Sequence, residues 1–123
     1  MSAGSTFTPL EQAVFAAICE MQPEDRPALT AQLSNATLRG RENTGAGFYA
    51  NFEVDRASSA AIGGERWRDG PSAKIDGLAH GMGFILWLNE GYADCLEGYS
   101  YDDSTIGIDL EKVSFEIIQN YLP

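Results

Sequence analysis

One histidine, His80, two cysteines, Cys19 and Cys95, and 18 carboxylates are the groups of this 123-residue chain best suited to acid–base or nucleophilic chemistry. An imidazole beside a thiol would make a nucleophilic dyad. The strand register expected below points His80 and Cys95 to opposite sheet faces, so no dyad is expected. The cysteines form no CxxC spacing and sit among apolar neighbours, which reads as two buried thiols in a reducing compartment. No other ligands accompany them, and neither a metal nor a cofactor is expected.

A carboxyl used for proton transfer needs an apolar surrounding that raises its pKa. Glu97, between Leu96 and Gly98, is the nearest candidate, and its plainer reading is a solvated residue at a sheet end. Trp67, Trp87, Tyr92, Tyr99 and Tyr101, with Arg66 and Arg68, are residue types that dominate binding hot spots. Trp67, His80, Glu97 and Tyr99 are therefore the candidate ligand-binding residues. The phosphate loop, the serine nucleophile elbow and the HExxH zinc helix are absent. Asp102–Gly107 superficially resembles a calcium loop but fails at Ile106 and again at Val113, where the pattern needs Glu.

Charge adds a second set. Eight Lys and Arg against 18 acids give a net charge of −10, which argues against binding a nucleic-acid backbone. Residues 39–74 hold six basic and five acidic side chains, a net of +1, whereas residues 90–116 hold eight acids against Lys112, a net of −7. That stretch is either a solvated face or a surface that steers a basic partner. Asp94, Asp102 and Asp103 are its candidate partner-binding residues. Apolar runs such as Phe84 to Leu88 are far too short for a membrane span, and no signal-peptide pattern opens the chain, so a cytoplasmic location is expected.

The elements that position these groups follow from period and punctuation. Residues 1–6 are expected to be a flexible tail and 7–123 a single α+β domain. Thr8-Pro9-Leu10-Glu11 is a capping box that opens a helix over 9–21, with Leu10, Val14, Ala17 and Ile18 on one face. A second helix over 26–34 has Asp25 as its expected cap. Alternation then predicts strands over 36–42 and 46–55, and residues 56–72 read as a long loop with a short extended piece at 59–62. A three-strand meander is expected over 73–80, 83–89 and 92–101, turning at Gly81-Met82 and Glu90-Gly91. That register pairs Leu96 with Ile85 and Cys95 with Leu86. It places Cys95 and Glu97 on the face of Phe84 and Leu86, opposite Trp87 and His80, with the middle strand covered on both sides. Residues 113–118 fit a strand, and the surrounding 109–121 fit a helix equally well. The sum is two N-terminal helices packed on a mostly antiparallel sheet of five to six strands.

Three segments carry a resemblance. Arg41-Glu42-Asn43-Thr44-Gly45-Ala46-Gly47-Phe48-Tyr49, Gly77-Leu78-Ala79-His80-Gly81-Met82-Gly83-Phe84-Ile85-Leu86 and Leu96-Glu97-Gly98-Tyr99-Ser100-Tyr101 resemble the motifs of a family of small uncharacterised bacterial proteins. That family has no established activity, so the resemblance implies a bacterial, cytoplasmic protein and little more. The function expected from the residues is a non-enzymatic binding module, immunity-like or regulatory, whose acidic surface meets a basic protein partner. The alternatives are a small-molecule binder with a pocket between helices and sheet near Trp67, His80 and Tyr99, or a small enzyme with Glu97 or His80 as acid–base. A homodimer is left open.

Overall fold

The computed structural model describes residues 7–118; the expected 1–6 tail and the last residues of the ambiguous 109–121 segment lie outside them. Helix α1, Pro9–Met21, begins as its capping box dictates: Thr8 Oγ1 accepts from the Glu11 amide, and Glu11 Oε1 accepts from the Thr8 amide, both at 3.0 Å. Helix α2 spans Arg26–Ser34. Asp25 makes no side-chain cap there; its Oδ2 instead accepts from Arg68 Nε at 2.9 Å.

Six antiparallel strands follow: β1 Thr37–Asn43, β2 Gly47–Glu53, β3 Trp67–Ile75, β4 Leu78–Asn89, β5 Tyr92–Ser100 and β6 Phe115–Ile118. They lie in the order β1-β2-β5-β4-β3-β6, so the meander β3-β4-β5 sits inside the sheet with β2 on one flank and β6 on the other. Both helices cover one face. Leu10, Val14, Ile18 and Leu29 close there on Phe48, Phe52, Met82, Phe84, Leu86 and Leu96, all buried in one core cluster.

The meander differs from expectation in two places. The β3–β4 turn is Asp76-Gly77, with Gly77 at φ +96°, and residues 67–72, expected as loop, are strand. Gly81, expected in the turn, lies inside β4 at φ +76°. Between the pairs Ala73↔Met82 and Ile75↔Leu78 strand β3 advances two residues and β4 four, so Gly81 sits in a bulge that absorbs the excess. Gly70-Pro71 occupies a bulge of β3, where a missing amide does no harm.

The second difference decides the site. Glu90-Gly91 turns as expected, pairing Asn89 with Tyr92 and Leu88 with Ala93, but the next pair is Trp87↔Cys95. Asp94 is the extra residue. One bulge reverses the parity of everything beyond it. Leu96 therefore pairs with Leu86 and enters the core, whereas Cys95 and Glu97 move to the face of Trp87 and Ile85. At the far edge β6 pairs with the last half of β3, which decides residues 115–118 as strand. The 59–62 piece joins no strand; the Ile62 amide donates to the Gly91 carbonyl and the Ile62 side chain is buried.

Candidate functional site

The sheet face turned away from the helices is uncovered by any described element, contrary to the expected cover on both sides. Its side chains follow from strand alternation: Tyr49 and Asn51 on β2, Cys95, Glu97 and Tyr99 on β5, Ile85 and Trp87 on β4, Trp67, Asp69 and Ser72 on β3. The register lines them into rows. One runs Glu42–Tyr49–Glu97–Ile85–Asp69 across five strands, and its neighbour runs Asn51–Cys95–Trp87–Trp67 across four. Trp67 is 42% exposed and Tyr49 37%, so the face presents aromatic surface to solvent.

Local contacts hold these groups in place. Trp87 Nε1 donates to Glu97 Oε1 at 3.0 Å. Tyr99 and Tyr101 pack edge to face with ring centres 5.6 Å apart, and the Tyr101 hydroxyl lies 3.1 Å from Ser72 Oγ. Both rings lie over Gly83, where a Cβ would come within 2.6 Å of Tyr99 Cζ. The electrostatics agree with the register. The Glu97 charge, ahead of burial, holds the Tyr49 phenol above its ordinary range, and burial followed by Tyr101 does the same for Tyr99. Burial, with the charges of Asp94 and Glu97, pushes the Cys95 thiol up to about 11. A thiol so raised is almost wholly protonated at neutral pH and is a poor nucleophile.

Three of the four candidate ligand-binding residues, Trp67, Glu97 and Tyr99, thus share one face. His80 does not join them. It is exposed at the other end of β4, where its amide and Nδ1 lie 2.9 and 3.1 Å from Asp103 Oδ2. Four residues of β4 lie between it and Ile85, the partner of Glu97, roughly 15 Å of strand, and no direct proton relay joins the two. The partner-binding candidates are also split. Asp94 is near the start of β5, where burial raises its carboxyl pKa against the opposing charge of Arg56, while Asp102 and Asp103 follow the strand's far end.

Because Trp67 and Tyr99 face away from the helices, a cavity between helices and sheet cannot include them. A groove of about 460 Å³ lies instead between α1 and α2, lined by Phe7, Phe15, Ala16, Cys19, Arg26 and Leu33 among others. Among the described residues no group of three or more His, Cys, Asp or Glu side chains is placed to hold a metal, and no helix is long and apolar enough to cross a membrane.

Residues of the first sequence motif prove to be architectural. Arg41 Nε donates to Glu11 Oε2 at 2.7 Å in an ion pair whose carboxylate is 1% exposed. Asn43 is clamped to Thr105: Thr105 Oγ1 donates to Asn43 Oδ1 at 2.8 Å, and Asn43 Nδ2 donates to the Thr105 carbonyl at 3.0 Å. The Gly47 amide donates to the same hydroxyl at 3.0 Å. Thr105, inside the rejected calcium-loop stretch, is fully buried, and nothing in its sequence neighbours marks it. No family model, curated protein or solved structure matches the chain.

Proposed function

We propose that the protein is a non-enzymatic binding module that acts through a basic protein partner, in the manner of an immunity or regulatory protein, with the open sheet face as its contact surface. One observation carries the reading. The outward positions of β2, β5, β4 and residues 67–72 of β3 combine Trp67, Trp87, Tyr49, Tyr92 and Tyr99 with the carboxylates of Glu97 and Asp69. The cations of this face, Arg39, Arg56 and Lys74, stand at its rim, Arg39 paired with Glu53 and Arg56 with Glu90. Exposed aromatic surface of this kind marks interaction sites, and the carboxylates of Glu97 and Asp69 at its centre favour a positive partner. The separation of His80 from Glu97 and the protonated state of Cys95 weigh against the enzyme alternative. Asp94, Asp102 and Asp103, at the two ends of β5, act as long-range steering charges rather than contacts. The motif resemblance supports a bacterial, cytoplasmic setting.

A pull-down from host lysate at low and at high salt tests this, run in parallel with Trp67→Ala and Glu97→Gln proteins. The expected result is a basic protein retained at low salt, released by high salt, and lost with both substitutions. Retention that ignores both substitutions refutes the contact surface, and an empty result at low salt refutes the partner.

A further inference from the structure

The geometry points to arginine, rather than lysine, as the side chain through which the basic partner docks, with a guanidinium seated on the aromatic floor and bonded to Glu97. This deepens the proposed contact surface and rests on it.

Charge settles the occupant first. The row Glu42–Tyr49–Glu97–Ile85–Asp69 places a carboxylate on every second strand, about 10 Å apart at the usual strand spacing. Two copies of this chain meeting centre to centre would set Glu97 and Asp69 against their own kind, while the rim arginines Arg39 and Arg56 are already engaged with Glu53 and Glu90, so that contact costs free energy. Phosphate-bearing partners are repelled for the same reason. A cationic protein segment remains.

Ring chemistry then chooses the cation. Trp67 and Trp87 are directly opposed on β3 and β4, one row from Glu97 and Asp69, while Tyr49 is directly opposed to Glu97 on β2. A guanidinium offers a flat face to such rings and a fork of N–H donors to a carboxylate, and it sheds water more readily than an ammonium. Glu97 is held for that task. Trp87 Nε1 occupies one of its acceptor sites and the Tyr49 hydroxyl reaches a second, fixing the carboxylate against the sheet with acceptor capacity left for a guanidinium. Lysine, a compact and strongly hydrated charge, gains less from desolvated aromatic surface.

The two tryptophans make the test specific, because each contributes one indole N–H signal in a ¹⁵N-labelled sample. The probes are a capped Arg-Gly-Arg-Gly-Arg peptide and its lysine counterpart at low salt. The arginine peptide is expected to move both indole signals and to bind at least about fivefold more tightly than the lysine peptide. Glu97→Gln, which retains an acceptor for Trp87, is expected to weaken arginine-peptide binding at least about fivefold. Glu24→Gln, between the helices, is the control expected to leave it unchanged. Asp69→Asn, at an exposed position, serves as the second variant if Glu97→Gln disturbs the amide spectrum.

Equal binding of the two peptides, with indole shifts still sensitive to Glu97→Gln, overturns the arginine assignment and leaves the basic-partner reading standing. Arginine preference untouched by Glu97→Gln and Asp69→Asn overturns the carboxylate contact. Absence of indole shifts with either peptide overturns both the arginine site and the proposed contact surface.

Discussion

Trp87 and Glu97 meet on the open sheet face, indole nitrogen to carboxylate oxygen at 3.0 Å, although neither is the other's direct cross-strand partner. They are diagonal neighbours, since Trp87 pairs with Cys95 and Glu97 with Ile85. The bond orients a half-exposed charge rather than supporting the core. Glu97→Leu is therefore expected to change the free energy of unfolding by less than about 1 kcal/mol, while solvent exchange at the Trp87 indole N–H rises. Urea melts and water-exchange spectra of the indole signal check both halves.

Cys95 gives a prediction about reactivity and pH. Its thiol is raised from 9.0 to about 11, with burial the leading cause. At neutral pH the thiolate fraction is then roughly a hundredfold below that of the unfolded chain, and alkylation of Cys95 in the native protein should slow by about that factor relative to the protein in urea. The sign for stability follows. Between these two values the unfolded chain has released the proton and the folded chain still holds it, so the thiol destabilises the fold increasingly as pH climbs above about 9, levelling off above about 11. Thermal melts of wild type and Cys95→Ala over that window should converge or cross in that direction; a gap that does not change with pH would contradict it.

The Arg41–Glu11 pair fastens β1 to the start of α1, with the carboxylate 1% exposed and the guanidinium side chain 15%. Removing one partner strands the other. Arg41→Ala is expected to cost about 3–5 kcal/mol in urea unfolding, and the double change Arg41→Leu with Glu11→Gln, which keeps an acceptor for the Thr8 amide, to recover much of that loss. If the double variant is no more stable than Arg41→Ala, the stranded charge is not the cause.

Gln32 is a buried amide that holds three segments together. Its Nε2 donates to the carbonyls of Ala60 and Gly91 at 2.7 and 3.0 Å, and its Oε1 accepts from the Ala93 amide at 2.8 Å. Gln32→Leu leaves these three backbone groups without that partner and should destabilise by about 2–4 kcal/mol. Faster hydrogen exchange at the Ala93 amide is the local signature.

At Gly47 a side chain is excluded by backbone, at φ +140° with the Gly98 carbonyl against the space a Cβ would need. Gly47→Ala should push β2 away from β5 and cost at least about 2 kcal/mol. The spectra should report it first at Phe48 and Tyr99, the residues flanking that crossing.

Much of the architecture was readable in the residues because it rests on local chemistry. Thr8, Pro9 and Glu11 start α1 through bonds spanning three residues, Pro23 follows closely on its end, and the alternation of Phe48, Ala50 and Phe52 with Tyr49 and Asn51 sorts the two faces of β2. Glu90-Gly91 makes the two-residue turn its composition demands, both residues at positive φ. The acidic charge and the aromatic stock of the face were equally legible, since each is a count.

Which glycine turns the chain and which bends a strand was not. Gly77 and Gly81 both adopt positive φ, and only the pairing of β3 with β4 and β6 decides that the first closes a hairpin and the second sits in a bulge. The same holds for Asp94. Nothing in its neighbours marks it as the unpaired residue, yet that one bulge sends Leu96 into the core and brings Glu97 beside Trp87. Strand parity is a cumulative property: every inserted residue inverts all those after it, so long-range register, set by how the buried face of the whole sheet packs under α1 and α2, assigns the face. Composition determined that this protein would carry exposed tryptophan, tyrosine and carboxylate; the tertiary packing alone determined that they share one surface.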